Sequence, residues 1–334
     1  MSSPTPPPPQ SPPQTPASPP APGQASWQAP GQMPPVPPPP AGPQGAPGPA
    51  PVVYTSPIPE RRTHLGHALL SEWTKIRTVR STVWTLAVMF LVTVGIGLLL
   101  AMALSSEDWV GMPLLSGGFF GLMFGQVCII TLGVLVMTSE YGTGMMRTTL
   151  TACPQRGRVL LAKAVVFFLL AFTMTLAATA LTSLIHSSML GGQTVPSYGV
   201  HDDRLADSIV NGELVATADQ WLGATVGAAL YVSLLGLLGL AVGALLRHSA
   251  GAITAMIGLV VLPLLAALFM VGESLYTARE VLIEYSPLNG LASLYGIPMD
   301  GDVDSTGWPL LGLLAAVTLA ALISAYARVT ATDA

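Results

Sequence analysis

From residue 81 onward, long uncharged apolar runs alternate with short charged stretches. The runs cover about residues 82–104, 114–138, 164–190, 221–246, 249–271 and 308–327. Crossing ~30 Å of hydrocarbon at about 1.5 Å per residue takes ~20 apolar residues, so every run is long enough to span a membrane. A buried soluble-core helix would explain one such run but not six in succession. The pattern therefore predicts an all-α integral membrane protein with six transmembrane helices.

Between the runs, residues 272–307 are too polar and too Pro-interrupted for another crossing. Their pieces 274–284 and 288–296, separated by Pro287, predict short helices on the outer face. The loop 191–220 carries five acids and one Arg and reads as a solvated connection. Trp109, Trp221 and Trp308 mark outer span ends, where aromatic belts sit. Pro263 predicts a kink or break in the fifth span. Before the first run, residues 63–80 place Leu65, Leu69, Trp73 and Ile76 along one side of a helix and Lys75 on another. Arg77 and Arg80 blur this pattern. A basic helix with one Trp directly before a span suits the inner membrane surface.

Composition divides the chain near Glu60. Overall, 51% of the 334 residues are hydrophobic and 9% charged, against about 25% charged in soluble domains. Twenty-four of the 31 prolines fall in residues 1–59, which carry no charge and little apolar surface. That segment reads as a disordered cytoplasmic tail with polyproline II runs. Its PxxP spacings also fit a docking arm for a polyproline-binding partner. Residues 60–334 form the membrane domain.

Charge orients the spans. With the N-terminus cytoplasmic, the inside segments hold Arg61, Arg62, Lys75, Arg77, Arg80, Arg147, Arg156, Arg158, Lys163, Arg247 and Arg328, 11 of the 13 basic residues. Only Arg204 and Arg279 fall outside. Lys and Arg resist translocation, so both termini are expected in the cytoplasm. Cys128 then lies in the second span and Cys153 in a cytoplasmic loop, as packing residues without a disulfide.

No Asp, Glu, Lys or Arg interrupts any run. Ion-coupled transporters keep such groups in the membrane, so the absence argues against one, although sodium sites built from backbone carbonyls stay open. His186 and His248, near span ends, read as interfacial hydrogen-bonding residues. Gly117, Gly121 and Gly125 recur every four residues, as do Gly223/Gly227 and Gly239/Gly243. Such ridges let helix backbones approach closely, within one subunit or at a dimer seam. The chain contains no GxxxxGK[ST], HExxH or GxSxG, so it has no phosphate loop and no hydrolase element of these kinds. No nucleic-acid partner is expected.

Two inside segments carry an identification. The loop between the second and third runs has Glu140 where the span ends, a helical stretch near Gly144–Thr151, a break at Pro154 and the basic stretch Arg156–Lys163. The runs SEWTKIRTVRSTVWTL (Ser71–Leu86) and SEYGTGMMRTTLTACPQRGRVLLAKA (Ser139–Ala164) resemble an actinobacterial permease subunit of an ABC transporter, of the ABC-2-type exporter family. The resemblance covers about residues 65–328. It implies a six-span permease fold, with residues 63–80 as an elbow helix carrying Trp73, Lys75, Arg77 and Arg80. It also implies a coupling segment at 139–158, in which Glu140, Tyr141, Thr143, Gly144, Arg147 and Thr148 dock on the ATPase. Gly142 and Met145 depart from the family pattern, which has a basic residue and a Thr there. Such permeases work with a separate ATP-binding subunit, which holds ATP and Mg, and with a second permease subunit, most simply a second copy. The substrate would be apolar or amphiphilic. The alternatives are an ion-coupled secondary transporter, and a membrane scaffold recruiting partners through the Pro-rich tail.

Overall fold

The computed structural model describes residues 64–331, apart from 108, 110, 145–155, 198, 200–204 and 300–305. The chain is a multi-pass, mostly helical membrane protein, with six helices among the described residues that are long and apolar enough to cross a membrane. A short helix, α1 (Leu65–Thr78), ends at Val79, whose extended backbone (ψ 110°) turns the chain into α2 (Arg80–Leu104). The remaining long helices are α3 (Gly118–Gly142), α4 (Arg156–Leu190), α5 (Ala218–Leu246), α6 (Ser249–Phe269) and, last in the chain, α9 (Trp308–Ala331). Two short helices, α7 (Tyr276–Glu284) and α8 (Pro287–Leu294), lie between α6 and α9.

α5 is the central helix, packed by α3, α4, α6 and α9. It is apolar on every side, as a helix with no solvent or lipid face should be. Buried residues make up 72% of its most apolar stretch, against 17% for α9, which leaves α9 largely uncovered by the rest of the chain. α2 packs on α3 and α4, and α1 lies against α4.

The two ends of the bundle differ in charge. Lys75, Arg77, Arg80, Arg158, Lys163, Arg247 and Arg328 fall at the end that carries α1, and Arg279 at the other. At the α1 end, Arg247 adopts a left-handed conformation (φ 55°) that stops α5. His248 then caps α6, its Nδ1 accepting the Gly251 N–H at 3.0 Å. These two residues are the whole connection between α5 and α6.

At the opposite end the described residues of the loop 191–220 are mostly exposed or half-buried, but they include a short hairpin and a few buried anchors. Asn211 and Gly212, both at positive φ, turn a hairpin between β1 (Ile209–Val210) and β2 (Glu213–Leu214). Leu205 and Leu214 are buried with Leu114 and Leu190 in a small second core. Trp109 packs on that core, while Trp221 and Trp308 pack on the main one. α8 begins with Ser286 capping the Asn289 N–H and Pro287 in its first turn. Residues Asn289–Leu294 are buried, with Tyr295 edge-on to Phe119. Beside α8, the Gly223–Gly227 turn of α5 is a π-turn, and the Leu294 carbonyl lies against Gly223. Pro263 leaves α6 unbroken from Ser249 to Phe269.

Candidate functional site

Four charges from three helices meet at the α1 end. Glu72 and Lys75 stand three residues apart on α1 and so share a face. Glu140 lies in the last turn of α3, and Lys163 lies in the second turn of α4. Lys163 Nζ donates to Glu72 Oε2 at 2.7 Å and to Glu140 Oε1 at 2.9 Å. Lys75 Nζ donates to Glu72 Oε1 and to Glu140 Oε1, both at 3.0 Å. The result is a closed ring of alternating sign, in which each ammonium bridges both carboxylates.

Burial makes the ring more than a surface ion pair. The side chain of Lys163 is 2% exposed, Glu72 4%, Glu140 8% and Lys75 29%. Charges this buried are tolerated only when paired and hydrogen-bonded, and removing one partner typically costs about 3–5 kcal/mol. Burial alone would lower the pKa of Lys75. Hydrogen bonds and attraction from Glu140 and Glu72 outweigh it and hold the amine above the ordinary lysine value.

The residues that follow Glu140 extend the site. Tyr141 is half-buried, with the Arg247 guanidinium carbon 5.2 Å from its ring centroid. This contact joins the end of α3 to the end of α5. The Thr143 hydroxyl donates to the Ser139 carbonyl at 2.9 Å. Gly144 leaves the helix in a left-handed conformation (φ 71°), its N–H donating to the Tyr141 carbonyl at 3.3 Å. Both are exposed. Arg147 and Thr148 lie outside the described residues.

On α1 and the start of α2, Trp73, Arg77 and Arg80 are exposed, whereas Lys75 turns inward to the ring. The glycine ridges lie at helix crossings inside the subunit. A Cβ on Gly117 would collide with the His186 ring, on Gly121 with the Thr93 carbonyl, and on Gly125 with the Thr93 hydroxyl. Gly239 and Gly243 leave only 3.0 Å and 3.1 Å between such a Cβ and the carbonyls of Ile130 and Val134 on α3. Gly133 and Gly236, not singled out from the sequence, lie at the same crossing: a Cβ on Gly133 would collide with the Gly236 carbonyl, and one on Gly236 with Phe167 and Ile129. His186 hydrogen-bonds through Nε2 to the Gly97 carbonyl at 2.9 Å.

Glu72, Lys163 and Arg247 are the site residues that sequence reasoning passed over. A signal for two of the partners was present. Between residues 61 and 331, Glu72 and Glu140 are the only acids in the segments that hold the eleven expected inside cations. Isolated acids among that many cations are candidates for specific pairing. Among models of known protein families and among curated proteins, nothing matches this chain.

Proposed function

We propose that the chain is the membrane-spanning permease subunit of an ATP-driven ABC exporter of the ABC-2 type. It works with a separate cytoplasmic ATP-binding subunit, which holds ATP and Mg, and with a second permease subunit in a homodimer. It sits in the plasma membrane with both termini in the cytoplasm, and its substrate is apolar or amphiphilic. The observation that carries this reading is the Glu72–Lys75–Glu140–Lys163 ring. It ties the elbow helix to the two helix ends that border residues 143–155, within the 139–158 segment where the family resemblance puts the ATPase contact. A push on that segment would move the ends of α3 and α4 and the elbow together. The closure of an ATPase pair would thereby shift the helices around α5 between inward and outward arrangements.

Because Glu140 is buried in the ring, its part in coupling is to position the docking segment. The exposed Thr143 and Gly144, with Arg147 and Thr148, are the contact residues. The test is a detergent pull-down of the tagged chain co-expressed with its candidate ATPase, comparing wild type with Arg147→Ala/Thr148→Ala. Recovery with wild type and loss in the variant, at unchanged size-exclusion profiles, is the expected result. Recovery with both keeps the exporter and removes these contacts. A folded wild type that recovers no ATPase overturns the proposal. Deleting residues 1–59 should leave the assembly intact, which a scaffold working through its Pro-rich arm would not tolerate.

A further inference from the structure

The corner between α1 and α2 carries a feature that the ring does not use. Trp73 and Arg77 stand four residues apart on α1, and Arg80 and Trp84 four apart on α2, so each arginine shares a face with an indole. The break at Val79 places the two pairs on either side of one bend. All four side chains are exposed, Trp84 by 70%. Among the described residues neither arginine has an ion-pair partner, because the nearby carboxylates Glu72 and Glu140 are taken by Lys75 and Lys163. Below Arg80 the same face of α2 continues as Leu91, Leu98 and Met102, at spacings that keep them in line, and all three are exposed. The corner therefore presents two guanidinium groups without an ion-pair partner among the described residues, and two indoles, at the head of an exposed apolar stripe.

We infer that this corner is a binding site for anionic phospholipid. Its acyl chains lie along Trp84, Leu91, Leu98 and Met102, and Arg77 and Arg80 hold the headgroup phosphate. Charge complementarity selects this occupant. A zwitterionic headgroup brings its own cation to two arginines beside carboxylates that, among the described residues, are already paired, whereas an anionic one does not. Guanidinium also matches phosphate oxygens in a two-pronged geometry. Each cation at an anionic surface is worth about 1 kcal/mol, so the pair gives a preference on the order of 30-fold over a zwitterionic lipid at low salt.

The test uses the full chain in nanodiscs of equimolar phosphatidylglycerol and phosphatidylcholine, with retained lipid read by native mass spectrometry. Wild type is expected to keep phosphatidylglycerol in preference. Arg77→Gln/Arg80→Gln should bring retention to parity, and Arg77→Lys/Arg80→Lys should keep most of the preference. Addition of millimolar inorganic phosphate should leave it in place. Equal retention by wild type, or a preference that survives in the double Gln variant, overturns the inference. So does displacement by free phosphate, which would make the site an anion site rather than a lipid site. If the double Gln variant keeps its lipid preference but loses a co-purifying protein, the arginines belong to that protein.

Discussion

The two ends of the bundle are held by different physics. At the α1 end, helices separated by up to 91 positions in the chain are joined by a buried ring of four charges. At the opposite end, close-packed joints among the described residues bring no ion pair with them. There a Cβ on Gly117 would strike the His186 ring, Gly290 leaves only 2.9 Å or less to the Tyr231 ring, and the Leu294 carbonyl lies against Gly223. The difference lies in how each end fails. A charged ring is directional and breaks when one partner is removed, whereas a close-packed joint breaks when volume is added. One end can therefore be loosened without touching the other.

The largest effect should come from breaking the ring at its most buried member. Lys163→Met leaves Glu72 and Glu140 facing each other with only Lys75 between them, and should cost about 3–5 kcal/mol. It is read as a fall in thermal midpoint in a fixed lipid environment and faster hydrogen exchange in α1. Unchanged exchange in α1 would show that the ring does not hold the elbow.

Adding volume at the other end comes next. Gly290→Ala should destabilise by about 1–3 kcal/mol through overpacking against Tyr231, with faster exchange confined to α7 and α8. Combined with Lys163→Met, the two costs should add to within about 0.5 kcal/mol, as expected of distant sites. A larger departure would mean that the ends are coupled.

Lys75→Met sharpens the comparison within the ring. Its side chain is 29% exposed against 2% for Lys163. Water screens part of its interaction, so the loss should be about 1 kcal/mol or less.

The smallest effect should be that of alkali. Lys75 has its pKa raised in the fold, so its contribution is complete below the ordinary lysine value of about 10.4. It is lost only as the pH climbs through the raised value. Protection of the α1 amides, with the base-catalysed rise in intrinsic exchange divided out, should therefore be the same at about pH 7 and about pH 9. A clear loss of protection over that interval would contradict the pairing of Lys75.

What the sequence revealed follows the range of each signal. Six spans were legible because ~20 consecutive apolar residues are a local property. The start of α4 was not. The apolar run begins only after Lys163, yet the helix starts back at Arg156, with Lys163 inside it and paired to Glu72 and Glu140. Glu140 could be read as a residue at the edge of a loop, but its partners sit 65 and 23 positions away. No spacing rule reaches that far. In the loop 191–220 the acids dominated the reading and hid Leu205 and Leu214, although the Asn211-Gly212 pair was itself a hairpin signal.

At the α1 end, three covalent links join consecutive helices: Val79, the pair Arg247–His248, and residues 143–155. The first two are too short to let their helices part. The third is long, but its ends are clasped by the contact between Glu140 and Lys163 at 2.9 Å. A chain segment with clasped ends has lost part of its conformational entropy before anything binds to it. On the proposed reading, a partner gripping residues 143–155 would have less chain entropy to remove and would bind more tightly for the same contacts. Lys163 would thereby set an affinity in which its own side chain makes no contact.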